Sequence, residues 1–290
     1  MNLIYVIILA VVQGLAELLP VSSSAHVVVA EKLLGLDPTS PQMTLLLVML
    51  HTGTMFAVIL YFWKQWRATY FASVEKFKRV AVLLIVATIL TGIVGEGIIK
   101  VVEKTLFRGV PHAEIENLFG RLDLIAPALA AAGVLILLTG LMAKGASGAD
   151  AATETEISTG QASLIGVVQG LCLPFRGFSR SGATISTGML AGVSKVSAEV
   201  FSFALAVILT PAVIAREGLR LVHAVHASGT SGDLTSAVIP SLLGAVFSFL
   251  AGLLALKWLS QWLEKGRWYL FGIYCLVAAG AVFALYRAGY

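Results

Sequence analysis

The sequence predicts an all-α integral membrane protein: six transmembrane helices plus two re-entrant helical hairpins in an inverted-topology repeat. Three observations lead there. Of 290 residues, 58% are hydrophobic and only 12% charged, with a mean hydropathy of +0.91; soluble domains carry about 25% charged residues. Six segments are apolar over roughly the 20 residues that an α-helix needs to cross a bilayer. The pentapeptide VVQGL begins at Val11 and again at Val167. Each copy opens an apolar region that is interrupted half-way by proline, glycine and hydroxyl residues.

Taken in chain order, residues 2–36 are broken by LPVSSSAH. They read as two short helices joined by a polar tip, and irregular backbone at membrane depth is tolerated only where protein or a water-filled cavity covers it. Spans follow at 43–63, 79–99 and 118–142. The stretch KGASGADAATETEISTG is small, polar and acidic, and reads as a surface linker. Residues 160–193 repeat the first pattern, broken by LPFRGFSRSG, and spans follow at 196–216, 237–257 and 268–287. The chain is thus one membrane domain, 1–290, made of two halves at approximately 1–145 and 155–290. Each half crosses three times, so the second enters from the opposite side and the two broken hairpins meet near the midplane. A pentapeptide alone can recur by chance in an apolar chain; the matched order of elements is what argues for a repeat.

Loop charge sets the orientation. The loop after the first span holds Lys64, Arg67, Lys76, Lys78 and Arg79 against Glu75 and is expected in the cytoplasm. Alternation puts 143–160 and 257–267 on the same side, the latter with Lys257, Lys265 and Arg267. Loops 100–117 and 217–236 and both termini then lie outside. The first of those loops offsets Lys100, Lys104 and Arg108 with Glu103, Glu114 and Glu116. A net charge of +4, scattered over short loops, marks topology rather than a nucleic-acid footprint. Cys172 and Cys275 sit in apolar segments and read as small buried side chains rather than a disulfide or metal pair. The N-terminus has neither a basic n-region nor a small-residue cleavage site, so no signal peptide is expected.

The chemistry concentrates at the two tips. Gln13 and Glu17 are four apart and share a helix face just before the first break. A charge at mid-membrane is costly and needs a partner or a function. Arg180 in the second tip is the expected partner, either as a structural pin between hairpins or as part of a site. Ser22, Ser23 and Ser24 precede one half-helix, and Ser179, Arg180, Ser181, Gly182 and Thr184 precede the other. Serine caps helix N-termini, and those termini offer N–H groups and partial positive charge to anions. An arginine fork among hydroxyls suits a phosphate, so the tips read either as caps or as an anion site. His26 lies one turn beyond Ser23 and either serves a serine nucleophile or hydrogen-bonds a neighbouring loop. His51 lies inside the first span and either faces the cavity or takes a buried, hydrogen-bonded role, the more usual one; His112, His223 and His226 fall in or near outer loops. No zinc-protease, Walker or dinucleotide motif is present, and no organic cofactor is expected. Magnesium or calcium is compatible with a phosphate beside Glu17, the candidate metal ligand, with Gln13 as a neutral second.

These residues resemble the undecaprenyl-diphosphate phosphatase family, the membrane proteins linked to bacitracin resistance. The first family pattern, Glu or Gln and then Glu four later, followed by PVSS and His, reads here Gln13, Glu17, Pro20-Val21-Ser22-Ser23 and His26. The second, PGxSRSGAT, reads Arg176-Gly177-Phe178-Ser179-Arg180-Ser181-Gly182-Ala183-Thr184. Arg176 replaces the usual proline and is a candidate second cation for a diphosphate. The resemblance covers nearly the whole chain. It implies hydrolysis of undecaprenyl diphosphate to undecaprenyl phosphate and inorganic phosphate in the bacterial inner membrane, with the active site opening to the periplasm. It also implies that Glu17, Ser23 and Arg180 are essential. From the residues themselves, Ser23 is expected to attack phosphorus or to orient a water, with His26 or Glu17 taking the proton. The partners implied are the polyprenyl diphosphate and membrane lipid, with a homodimer left open and no nucleic acid. The alternative is a transporter or flippase of a lipid phosphate or small anion, since inverted repeats with broken helices are typical of transporters.

Overall fold

The computed structural model describes residues 2–37, 40–106, 115–145, 156–228 and 231–290, and among them every regular element is helical. Arg108, His112, Glu114 and residues 146–155 of the linker lie outside the described residues, as do the side chains of His223 and His226.

The element order repeats. The first half holds α1 (Leu3–Leu18), α2 (Ser23–Leu33), α3 (Pro41–Thr69), α4 (Val74–Leu106), a 3-10 turn at Ile115–Leu118 and α5 (Leu122–Gly145). The second holds α6 (Thr159–Cys172), α7 (Arg180–Leu190), α8 (Lys195–Ser228), α9 (Ser231–Glu264) and α10 (Trp268–Arg287). Helices α2 and α7 are both 11 residues long, with Ser22 and Ser179 at their N-caps. Gly35 and Gly192 follow them at φ 64° and 83°, the left-handed stop that glycine adopts most readily. α1 and α6 have 16 and 14 residues, or about 24 and 21 Å at 1.5 Å per residue. Both fall short of a hydrocarbon core of about 30 Å.

The other six helices are long and apolar enough to cross a membrane. Their outer faces are apolar as well: Ile85, Ile89 and Ile93 on α4, and Leu242, Val246 and Leu250 on α9, form exposed stripes four residues apart. Patches of that size are liabilities in water and are the expected surface against lipid. The helices outrun the apolar windows. α3 continues through Lys64 and Arg67 to Thr69 and α4 starts at Val74, so the basic loop expected at 64–78 contracts to residues 70–73. The loop expected at 257–267 is likewise helical up to Glu264, and that at 217–236 is helical up to Ser228 and again from Ser231. An apolar window measures bilayer thickness, whereas a helix, hydrogen-bonded internally, continues into the polar interface. The third span begins later than expected, at Leu122, because Ile115–Leu118 forms the 3-10 turn. Cys172 and Cys275 are free and buried.

The halves interlock. α1 packs on α9 of the other half, and α6 packs reciprocally on α4. The glycine of each VVQGL copy makes these contacts close. A Cβ on Gly14 would lie 2.6 Å from both the Ala251 Cβ and the Ser248 carbonyl oxygen, and one on Gly170 would lie 2.8 Å from the Thr91 carbonyl oxygen. The repeated motif therefore encodes the same backbone approach twice. Thr91 closes its side of the interlock by donating to both the Ala87 and the Gly166 carbonyls, at 2.8 and 2.9 Å. Gly14→Ala and Gly170→Ala are each expected to destabilise the protein by about 1–3 kcal/mol, the usual range for overpacking. Gly280→Ala, whose Cβ would meet nothing within 4 Å, is expected to be neutral. Thermal unfolding in detergent checks all three.

Candidate active site

The two tips meet. α1 ends at Leu18 because Leu19 turns extended ahead of Pro20, and the chain re-enters helix at Ser23 through Ser22, held at φ 67°. Ser22 is the one non-glycine residue with positive φ among those described. Such a conformation costs on the order of 1–3 kcal/mol and persists only where neighbours enforce it. The turn brings Ser23 back onto α1: Ser23 Oγ donates to Glu17 Oε2 at 2.6 Å. Gln13 Nε2 donates to the same oxygen at 3.2 Å. Across the interface, Arg180 Nη2 at the start of α7 donates to Glu17 Oε1 at 2.7 Å. His51 of α3 completes the ring, its Nε2 lying 3.9 Å from Glu17 Oε2. The Glu17 carboxylate is thus surrounded from α1, α2, α3 and α7. The side chains of Glu17, Arg180 and His51 keep 17%, 23% and 33% of their exposure, so none of the three is fully buried. Arg180 Nη1 is buried and has no hydrogen-bond partner among the described residues, which leaves one arm of the guanidinium for an anion.

The other expected site residues divide into two groups. Several join the tips. Ser24 Oγ accepts from the Gly177 N–H at 3.3 Å, and Ser181 Oγ donates to the Leu19 carbonyl at 3.3 Å. Ser22 Oγ pairs with Ser24 Oγ at 3.2 Å. Others build α7. Ser179 caps it by accepting from the Gly182 N–H at 3.2 Å. Thr184 Oγ1 donates to the Arg180 carbonyl at 2.8 Å and pairs with Ser202 Oγ at 2.6 Å. Gly182 lets α5 approach, since a Cβ there would stand 2.5 Å from Ile136 Cδ1. Ser22, by contrast, makes no side-chain cap on α2, so the first-turn N–H groups of that helix are not satisfied by their cap. Arg176 places its guanidinium carbon 4.4 Å from the centre of the Phe119 ring, a cation–π contact.

The partners of His26 lay beyond the sequence reading. His26 lies near Ser23 in sequence, but its nitrogens are engaged elsewhere: Nδ1 with the Ser22 carbonyl and Nε2 with the Tyr274 hydroxyl, both at 2.8 Å. Tyr274 on α10, a residue no motif points to, also stacks on the His26 ring. It is His51 instead that faces Glu17. Its signal was present in LHTGT, a titratable side chain inside an apolar span.

Among the described residues no three His, Cys, Asp or Glu side chains are grouped so as to hold a metal ion by themselves. Glu17 with the Gln13 amide is one carboxylate and one neutral oxygen. That set suits a hard cation shared with substrate phosphates, the common magnesium arrangement.

A model of the family described as bacitracin resistance protein BacA matches residues 6–281. Undecaprenyl-diphosphatase 2 of Acinetobacter baylyi is 58% identical over 287 residues, covering 98% of each chain. Undecaprenyl-diphosphatase of Rhodopirellula baltica is 32% identical, covering 96% of this chain and 95% of its own. That of Desulforapulum autotrophicum is 33% identical, covering 96% of each.

Removing one member of the Glu17–Arg180 pair strands the other charge. Arg180→Ala is expected to lower stability by about 3 kcal/mol, at the low end of the ~3–5 kcal/mol for fully buried pairs because both groups keep some exposure. Glu17→Gln combined with Arg180→Ala is expected to recover part of that loss. Unfolding of the two variants and the double variant, read as a cycle, measures the coupling.

Proposed function

The chain belongs to the bacitracin resistance protein BacA family, and on that premise we propose that it hydrolyses undecaprenyl diphosphate to undecaprenyl phosphate and inorganic phosphate, at the site where the two tips meet. This reaction recycles the lipid carrier used in cell-wall synthesis. One observation carries the reading beyond likeness. Ser23 Oγ lies 2.6 Å from one oxygen of Glu17, and Arg180 holds the other at 2.7 Å. A hydroxyl, a base for its proton and a cation for the phosphate therefore form a single chain of contacts.

The prenyl tail lies against the apolar helix faces and the diphosphate enters between the tips. Arg180 turns its unpartnered Nη1 to a phosphate oxygen, and the first-turn N–H groups of α2 add partial positive charge. Glu17 takes the proton of Ser23 as Ser23 Oγ bonds to the terminal phosphorus. The bond from that phosphorus to the bridging oxygen breaks, and undecaprenyl phosphate leaves with the electron pair. Water then displaces Ser23 from phosphorus. The reacting groups are already in place, and positioning and charge neutralisation supply most of the acceleration in phosphoryl transfer. A magnesium or calcium ion held by Glu17 and Gln13 together with the diphosphate would neutralise further charge. Arg176 is a candidate second cation for the diphosphate.

The short helix pairs α1–α2 and α6–α7 are read as re-entrant hairpins of an inverted repeat, entering from opposite sides of the inner membrane, with the site open to the periplasm. In a phosphate-release assay on purified protein, Ser23→Ala, Glu17→Gln and Arg180→Ala are each expected to lower kcat by about 10²–10⁴-fold with the protein still folded. Acid quench during turnover is expected to trap phosphate on Ser23. A chelator is expected to slow release. Near-normal turnover in all three variants would overturn the reading.

A further inference from the structure

We propose that the seam between α4 and α6 binds one anionic phospholipid, with its phosphate beside Lys78 and an acyl chain along the outer face of α4. The site is separate from the meeting point of the two tips and does not depend on the reaction carried out there.

A cavity of about 270 Å³ lies where α4 passes the start of α6. It is lined by the polar side chains Lys78, Arg79 and Thr159 and by the apolar Val82, Leu83 and Ile157. The two cations differ. Arg79 is paired with Glu156. Lys78 is exposed and has no ion pair or side-chain hydrogen bond among the described residues.

Helix periodicity joins this cavity to lipid. Lys78, Val82, Ile85 and Ile89 follow at steps of four, three and four, so they share one face of α4. Val82, Ile85 and Ile89 are 55%, 57% and 54% exposed. From Lys78 to Ile89 the helix rises about 16 Å at 1.5 Å per residue. That is close to one leaflet, half of a hydrocarbon core of about 30 Å. The lysine thus heads an apolar track as long as one acyl chain. Aromatic rings fix its depth independently. Trp63, Phe71 and Phe77 are each about half exposed, and their rings adjoin in a row with centroids 6.1 and 5.6 Å apart. Exposed tryptophan gathers at the membrane–water interface, and Phe77 immediately precedes Lys78. Lys78 therefore stands at headgroup level.

Charge selects the headgroup. Arg79 and Glu156 offset each other, which leaves the Lys78 ammonium as the uncompensated charge at the cavity. An ammonium is a compact point charge suited to a phosphate, and Thr159 adds a hydroxyl beside it. A zwitterionic phospholipid brings its own ammonium, which Lys78 repels; an anionic one brings its phosphate uncompensated. A free phosphate would satisfy Lys78 and leave the track on α4 uncovered, so the occupant is a lipid.

The test is native mass spectrometry of the full chain in detergent, titrated with phosphatidylglycerol or with phosphatidylcholine of the same acyl chains. Wild type is expected to hold one phosphatidylglycerol about 5-fold more tightly than phosphatidylcholine, the worth of one basic residue near an anionic surface. Lys78→Gln is expected to lose that preference and Lys78→Arg to keep it. Lys265→Gln removes the same charge from an exposed lysine that does not line the cavity, and is expected to change nothing. Retention of the preference by Lys78→Gln, or its equal loss in Lys265→Gln, would overturn the proposal. Displacement of the lipid by free glycerol phosphate would overturn it too, by making the ligand a soluble phosphate.

Discussion

One carboxylate and one guanidinium, drawn from opposite halves of the chain, hold this structure to its purpose. Glu17 and Arg180 touch at 2.7 Å although 163 residues separate them. Insertion of either charge alone into the centre of a bilayer is disfavoured by roughly 2.5–3.5 kcal/mol. Each is tolerable only if the other arrives, and that requires two interrupted helices to end at the same depth and face each other. The interruptions supply the ends: Pro20 stops one helix, and the loop containing Pro174 and Gly177 stops the other. The long helices supply the depth. α9 carries α1 and α4 carries α6, each across a glycine that allows backbone contact.

The hydroxyls around the pair show how a polar cluster is held rigid in an apolar protein. Ser24 and Ser181 bond backbone groups of the opposite tip, and Thr184 with Ser202 fixes α7 against α8. These bonds satisfy groups that lipid could not, and they set the spacing of the reacting atoms before any substrate arrives. Ser23 is the hydroxyl turned to the carboxylate, and Ser22 reaches the conformation that turns it there only at a positive φ. Backbone strain at a single residue beside the reacting hydroxyl is a known correlate of functional sites.

Much of this was legible in the sequence, for identifiable reasons. A charge inside an apolar chain demands a partner, so Glu17 and Arg180 could be paired before any coordinates. The repeat of VVQGL gave the register that puts their tips together. Helix ends were less legible. Lys64 and Arg67 read as loop residues because they are charged, yet a helix leaving the bilayer has no reason to stop at the hydrocarbon boundary. The roles of the histidines were the least legible. Proximity in sequence left His26 open between serving Ser23 and bonding a neighbouring element, and the side chain points to Tyr274, 248 residues away. His51 reaches Glu17 only because α3 packs beside α1. Sequence spacing reports on one helix face, and these contacts are made between helices.

The central claim is that both tips grip one phosphoryl group. An experimental structure with vanadate, a mimic of phosphorus under attack, tests it most directly. The account predicts a vanadium bonded to Ser23 Oγ, with an equatorial oxygen within hydrogen-bonding distance of Arg180 Nη1 and Glu17 still beside Ser23. Vanadate bound away from the tips, or Glu17 and Arg180 separated into different environments, would contradict it.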